Sequence, residues 1–199
     1  TNDDVNPAAT VRAVYYYHAV TQGWGDIGYN YIIDRNGRIY EGRRGGDGVI
    51  AAHARQFNPG TVGISIIGDY TYVDVPSPAV NSLIELLAWK GNLHSVHPLE
   101  SSPILGITLP HIMGHRDCNP TTCPGNRGYA ILPQVRTATY ERMQAIPPSL
   151  TVSRPEPHET LAGTVEVTWQ TSPAAGEVLL AIDGHHRQTF SSGTRSWSW

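Results

Sequence analysis

Apolar positions early in the chain recur first with a helical period and then with a strand period. Val11, Val14, Tyr15 and His18 fall at i, i+3, i+4 and i+7, the spacing of one helix face. Asn6 followed by Pro7 supplies an N-cap and a proline at the first helical position, and Gly23 supplies the stop. Tyr29–Ile33 and Arg38–Glu41 flank Asp34-Arg35-Asn36-Gly37, and Asn-Gly between such runs signals a hairpin. Arg43–Gly48 reads as a flexible loop. Val62–Gly68 is short, apolar and β-branched, which fits a buried central strand better than a helix. A long helix is expected from Ser77 to His94, with Ser77 as cap, Pro78 opening it, and Val80, Leu83, Ile84, Leu87 and Leu93 as its buried stripe. Ile112–Cys123 reads as a strand end followed by a loop through Asn119-Pro120. A last helix starts near Pro133, with Val135, Thr139 and Met143 on one side. Helices mixed with short strands predict an α/β domain over residues 1–147.

The texture changes after Pro147-Pro148. Arg154-Pro155-Glu156-Pro157 is a stiff, extended entry segment. Val165, Val167 and Trp169 then alternate with polar residues, as in a half-buried strand. Val178–Ile182 is a further strand, Asp183-Gly184 a turn, and Trp197 and Trp199 alternate at the end. Residues 148–199 therefore resemble the beginning of an immunoglobulin-like or fibronectin-like β-sandwich, truncated because such modules run to about 100 residues.

Length and charge narrow the function classes. The 199 residues fit one or two domains, and 40% hydrophobic residues are enough for a core. A net charge of −3 leaves no electrostatic footprint for nucleic acid. No apolar run approaches a membrane span. The first residues, Thr1, Asn2, Asp3 and Asp4, are polar and contain no signal peptide. Two cysteines, Cys118 and Cys123, are too few for a disulfide scaffold. The nine histidines matter more by position than by number.

Among them, His115 stands eight residues before Cys123 on a loop that turns at Pro120. Imidazole and thiolate are preferred zinc ligands, and a catalytic zinc needs three protein ligands with one position open. On spacing alone the pair also reads as one structural cysteine and one packed histidine. The wider stretch from Gly114 through Asp117 to Thr121, Cys123, Pro124 and Gly125 resembles the C-terminal signature of the zinc amidases and peptidoglycan-recognition proteins, the N-acetylmuramoyl-L-alanine amidases. The likeness continues through four other ordered blocks: Gly23–Tyr31, Gly37–Arg43, Ala51–Ala54 with Phe57-Asn58, and Gly63–Gly68. It covers roughly residues 7–145.

The resemblance implies a central mixed sheet flanked by helices, with His115 and Cys123 as zinc ligands. Tyr29 would set its hydroxyl beside the developing oxyanion, and Thr121 would stand near the same oxygen. His18, Trp24, Asp26, Arg43, His53 and Asn58 would line a substrate groove. From the residues alone, His18 also reads as a satisfied core histidine, Trp24 as packing, and Asn58 as a turn residue before Pro59. The substrate implied is the amide between N-acetylmuramic acid and L-alanine of peptidoglycan, cleaved by a secreted, cell-wall-associated monomer. The same groove could serve recognition of muramyl peptide without hydrolysis; retention of Cys123 favours the enzyme.

Two departures from the family pattern stand out. Its first zinc ligand is a histidine of a His-His-Thr motif on the sheet's first strand, ahead of the first helix, and residues 1–11 contain no counterpart. The expectation is a chain that lacks this strand, holds zinc weakly and is inactive as given. The second departure is Cys118, where relatives carry a small or apolar residue. A Cys118–Cys123 disulfide in an oxidising compartment would remove the thiolate, in competition with zinc. His94, His97, His111 and His158 match no motif, and His185-His186 reads as an exposed pair beside a turn.

Overall fold

The structure is a computed structural model and describes residues 2–46, 48–145, 149–154, 163–164, 166–172, 177–182, 185–191 and 196–198. They form two compact units, one of residues 1–87 with 97–140 and one of residues 88–96 with 141–199.

In the first unit, α1 spans Pro7–Tyr16, and Asn6 accepts a hydrogen bond from the Ala9 amide at 3.3 Å. The chain continues through a π-helical turn, Tyr17–Thr21, and leaves it at Gly23, where φ is +70°. Strands β1 (Tyr31–Ile33), β2 (Ile39–Glu41) and β3 (Ile64–Ile66) form a sheet in the order β2-β1-β3. The β1–β2 pair is antiparallel and the β1–β3 pair parallel, so the sheet is mixed. The predicted hairpin is organised by buried Asp34, whose carboxylate accepts from the amides of Asn36 and Arg38 and from the Tyr40 hydroxyl.

Helix α2 runs over Ser77–His94. Its first amides, Ala79 and Val80, donate to the Pro76 carbonyl, one residue earlier than the expected cap. Ile33 of β1 packs with Ala79 and Leu86 of α2, while Val80, Leu83, Ile84 and Leu87 close on Ile112, Leu132 and Val135. Leu93, expected in that stripe, is 42% exposed. A hairpin not read from the sequence follows: β4 (Ser101–Ile104) and β5 (Ile107–Pro110), joined at Leu105 and Gly106, both with positive φ. Leu109 of β5 packs with Ala54 and Phe57. Two helices, α3 (Asn126–Ala130) and α4 (Leu132–Ala145), complete this part of the chain.

Val62–Gly68 departs from its expected burial. Its strand, β3, pairs only with β1 among the described residues, and all three of its residues are half-buried. Helix α1 has no buried residue. Between them lies an open cavity of about 480 Å³, lined by Val14, His18, Tyr29, Ile32, Ser65 and Ile66 among others. Ile32 of β1, Ser65 and Ile66 of β3 and Val14 of α1 all face this cavity.

The second unit contains β6 (Ser149–Arg154), β7 (Glu166–Ser172) and β10 (Ser196–Ser198) in the order β10-β7-β6, and a separate antiparallel pair, β8 (Glu177–Ile182) with β9 (His185–Ser191). Trp169 on β7 is buried. The expectations that fall on Pro147-Pro148, Pro155–Pro157, His158, Val165, Asp183-Gly184 and Trp199 lie outside the described residues.

Candidate functional site

Tyr29 enters the site from the segment just ahead of β1. Its carbonyl accepts from the Arg43 amide and that of Asn30 from the Gly42 amide, both at 2.8 Å, which prolongs the β1–β2 ladder to this point. A Cβ at position 42 would collide with the Tyr29 carbonyl, so only glycine lets the two segments approach this closely. Burial and the charge of Cys123 push the Tyr29 hydroxyl pKa up, against a hydrogen bond with Ser65 of β3. Tyr29 is therefore a neutral donor near neutral pH, and it lies within electrostatic reach of Cys123.

His18, in the π-helical turn, stacks on Trp24 with ring centroids 4.8 Å apart and lies 6.1 Å from the Tyr29 ring. Its Nδ1 accepts the Gly28 amide at 3.2 Å. A backbone N–H can only donate, so the imidazole proton sits on Nε2. Burial and the Arg43 guanidinium both lower the His18 pKa, which keeps the ring neutral.

Arg43 and Asp26 act as braces. The guanidinium donates to the carbonyls of Ile27 at 3.0 Å, Trp24 at 3.2 Å and Asp26 at 3.5 Å. The Asp26 carboxylate returns the tie by accepting from the amides of Ile27 and Arg44. Asn58 is likewise engaged in its own turn, accepting the Ala54 amide at 2.7 Å.

His53 packs its ring against Gly63, where a Cβ would overlap it. Gly63 cannot retreat, because Asn30 holds both its amide and its carbonyl. His53 Nε2 lies 3.1 Å from the Thr61 hydroxyl, which itself donates to the Phe57 carbonyl. Nε2 is therefore the donor to Thr61, and Nδ1 is buried without a hydrogen-bond partner. Burial, reinforced by His115, lowers the His53 pKa to about 4.

The loop that carries His115 and Cys123 is closed by its own backbone. His115 opens a 3-10 turn, His115–Asp117, in which Asp117 accepts the Gly114 amide and the Tyr129 hydroxyl. The Arg116 amide donates to the Cys123 carbonyl at 3.1 Å, and the Arg116 side chain bonds the carbonyls of Thr122 and Cys123. Thr121 Oγ1 accepts the Cys123 amide at 3.2 Å. Cys118 and Cys123 are both free thiols. Burial raises the Cys123 pKa, with Arg116 opposing it; Cys118 is raised by burial and by Asp117. A divalent cation would displace the Cys123 proton, as thiolate ligation does. An imidazole and a thiolate are donor types that fit a zinc ion chemically. Among the described residues, no group of three or more His, Cys, Asp or Glu side chains is placed to hold one.

The chain is similar to known proteins. A family model described as N-acetylmuramoyl-L-alanine amidase (Amidase_2) matches residues 2–126. The chain belongs to the Amidase_2 family. Drosophila melanogaster peptidoglycan-recognition protein SC1a is 36% identical over 117 residues, which are 59% of this chain and 57% of that protein. A human N-acetylmuramoyl-L-alanine amidase is 32% identical over 162 residues, 79% of this chain and 26% of that protein. This chain thus spans little more than half the length of SC1a and a quarter of the human amidase. Of solved structures, wild-type Drosophila PGRP-LB matches with a TM-score of 0.55 at 31% identity, over 65% of this chain and 69% of that one. The PGRP-LCa and PGRP-LCx ectodomain complex, solved with tracheal cytotoxin bound, matches at 0.53 and 31%, over 62% and 68%. These are Amidase_2 relatives of both kinds, amidases and recognition proteins, on a mixed sheet with flanking helices.

Of the residues singled out from sequence, the structure gathers His18, Trp24 and Tyr29 in one cluster and closes His115, Thr121 and Cys123 into one loop. Electrostatic coupling joins Tyr29 to Cys123 and His53 to His115. Arg43, Asp26 and Asn58 are spent on backbone ties. Sequence reasoning passed over Ser65, Asn30 and Asn119. Asn30 lies inside a matched block, which is the signal the sequence offers, and its side chain is buried.

Proposed function

We propose that the site hydrolyses the amide between the lactyl group of N-acetylmuramic acid and L-alanine in peptidoglycan, with zinc held by His115, Cys123 and a third ligand that the described residues do not supply. The observation that carries this reading is the closed loop that holds a histidine and a free thiol together with a neutral tyrosine beside that thiol. Zinc, when bound, polarises the scissile carbonyl and lowers the pKa of water from 15.7 to about 7. Tyr29 donates a hydrogen bond to the oxygen on which negative charge develops, and its raised pKa keeps that proton in place. Thr121 holds the Cys123 amide and with it the loop's shape. His18 offers Nε2–H to the ligand from its stack on Trp24. The chain acts as a monomer outside the cell, on wall peptidoglycan, and residues 148–199 form a β-module of immunoglobulin-like or fibronectin-like type.

The test is Cys123→Ser, in residues 1–199 and in a longer form that carries a His-His-Thr segment ahead of Thr1. The expected result is loss of zinc and of peptide release from purified peptidoglycan, read by mass spectrometry, with muramyl-peptide binding retained. Undiminished hydrolysis by the serine variant would refute the metal assignment. A second reading, recognition without hydrolysis, draws on the lack of a third metal-competent side chain beside His115 and Cys123 among the described residues. Tracheal cytotoxin in the relatives' structures supports a peptidoglycan fragment as ligand in either case. A longer form that binds this fragment tightly, takes up zinc and still releases no peptide would favour recognition.

A further inference from the structure

We infer that Asn119 is a positioning residue for His115: its side-chain oxygen fixes the Nε2–H tautomer and leaves Nδ1 as the ring's lone pair for a divalent cation. This rests on the metal reading above only for its consequence; the tautomer itself follows from the hydrogen bonds.

His115 Nε2 lies 3.1 Å from Asn119 Oδ1. A carboxamide oxygen only accepts, so Nε2 must carry the proton, and a neutral imidazole has one proton to carry. The orientation of the amide decides this. The Cys118 thiol has one proton and two acceptors in reach, the His115 carbonyl at 3.4 Å and the same Oδ1 at 3.6 Å.

The backbone makes the pairing local. The Asn119 amide donates to the His115 carbonyl at 3.0 Å, so residues 115–119 wind as one helical turn and place positions i and i+4 on one side. Pro120 has no amide to continue the turn, and the chain departs towards Thr121 and Cys123. Cys118 packs beside Ala54, Phe57 and Leu109, which anchors the turn from below. A ligating histidine is ordinarily held through its other ring nitrogen by an oxygen acceptor, and loss of that acceptor costs about 10–100-fold in metal affinity. Asn119 supplies that acceptor from within the ligand loop.

The experiment uses the 199-residue chain labelled with ¹⁵N. Long-range ¹H–¹⁵N correlation at about pH 8, above the ordinary imidazole range, reads the His115 tautomer in the metal-free protein, with His115→Gln assigning the signals. The expected result is an unprotonated Nδ1 in the parent, a tautomer mixture in Asn119→Leu, and restoration in Asn119→Asp, which keeps an acceptor in place. Cobalt binding, followed by the thiolate-to-metal band, should weaken about 10–100-fold in Asn119→Leu and recover in Asn119→Asp. A protonated Nδ1 in the parent would overturn the inference, whether or not the leucine variant folds. So would an Asn119→Leu chain that is folded by its thermal transition and keeps both tautomer and cobalt affinity. If cobalt binds with no dependence on His115 or Cys123, the hydrolase reading falls, while the metal-free tautomer still decides the role of Asn119.

Discussion

Acidification should destabilise this fold through His53. Its Nε2 is committed to Thr61, so a second proton must go to Nδ1, which is buried against Gly63 with no acceptor. The folded-state pKa is accordingly about 4, against 6.5 for a free imidazole. A depressed folded pKa means that the unfolded chain binds more protons over this interval, so stability rises with pH. The contribution is complete above about 6.5 and is lost as pH falls towards the folded value. Integrating the linkage from about pH 7.5 to about pH 5 gives an upper bound of about 2 kcal/mol, which solvent screening of the half-buried ring reduces to about 1 kcal/mol. Urea unfolding of the metal-free chain at both values, for the parent and for His53→Gln, isolates this contribution because glutamine keeps a donor for Thr61 and does not titrate. The parent should lose about 1 kcal/mol more than the variant on acidification, and no more than about 2 kcal/mol. Equal losses in both would refute the burial argument and place His53 in solvent contact.

Removal of the Arg43 brace should cost stability as well as binding. Arg43→Gln gives up charge-assisted bonds to three carbonyls and should destabilise the chain by about 1–3 kcal/mol in urea titration. The His18 pKa, read by NMR, should rise when this neighbouring charge goes; an unchanged midpoint with only weaker ligand binding would make Arg43 a ligand contact instead. Tyr29→Phe, in a form that holds zinc, should lower kcat by about 10²-fold and leave KM in place, because an oxyanion donor acts in the transition state. A higher KM at constant kcat would make Tyr29 a binding group.

Local rules were legible where local chemistry decides the backbone. Asn6-Pro7 starts α1 and Asn36-Gly37 turns the first hairpin, as their positions predict. The β4–β5 hairpin escaped notice because Leu105 takes a positive φ that leucine rarely adopts and Pro103 sits within a strand. Its pairing is decided by Leu109 packing on Ala54 and Phe57, contacts far away in sequence. The apolar run around β3 read as central and buried, yet burial depends on what lies on both sides of a strand, and among the described residues only β1 pairs with it. The site shows the same division. His115, Cys123 and Tyr29 carry their chemistry in their residue types. Whether Arg43 points at a ligand or at the Trp24 carbonyl depends on a few ångströms of loop path. Asn119, ahead of a proline, looks like any turn residue until its oxygen is seen beside His115.

The division of labour within the site bears on why one frame can serve both hydrolysis and recognition. The groove side is secured by the β1–β2 ladder and by the Arg43 and Asp26 ties. The ligand loop is secured separately, by Arg116 on Cys123, by Asn119 on His115 and by Thr121 on the Cys123 amide. Neither set of bonds uses the Cys123 thiol. A change of that sulfur to oxygen would therefore remove the proposed metal ligand without loosening the groove, and the two halves are coupled by charge at Tyr29 and His53 and by packing of Cys118 beside Ala54 and Phe57. On the reading proposed above, hydrolysis would need both halves and a third ligand, and binding the first half only. On the same reading, exchange of Cys123 would end hydrolysis and leave the groove's bonds intact, and the reverse change would restore a metal ligand only where the tautomer of His115 has been kept.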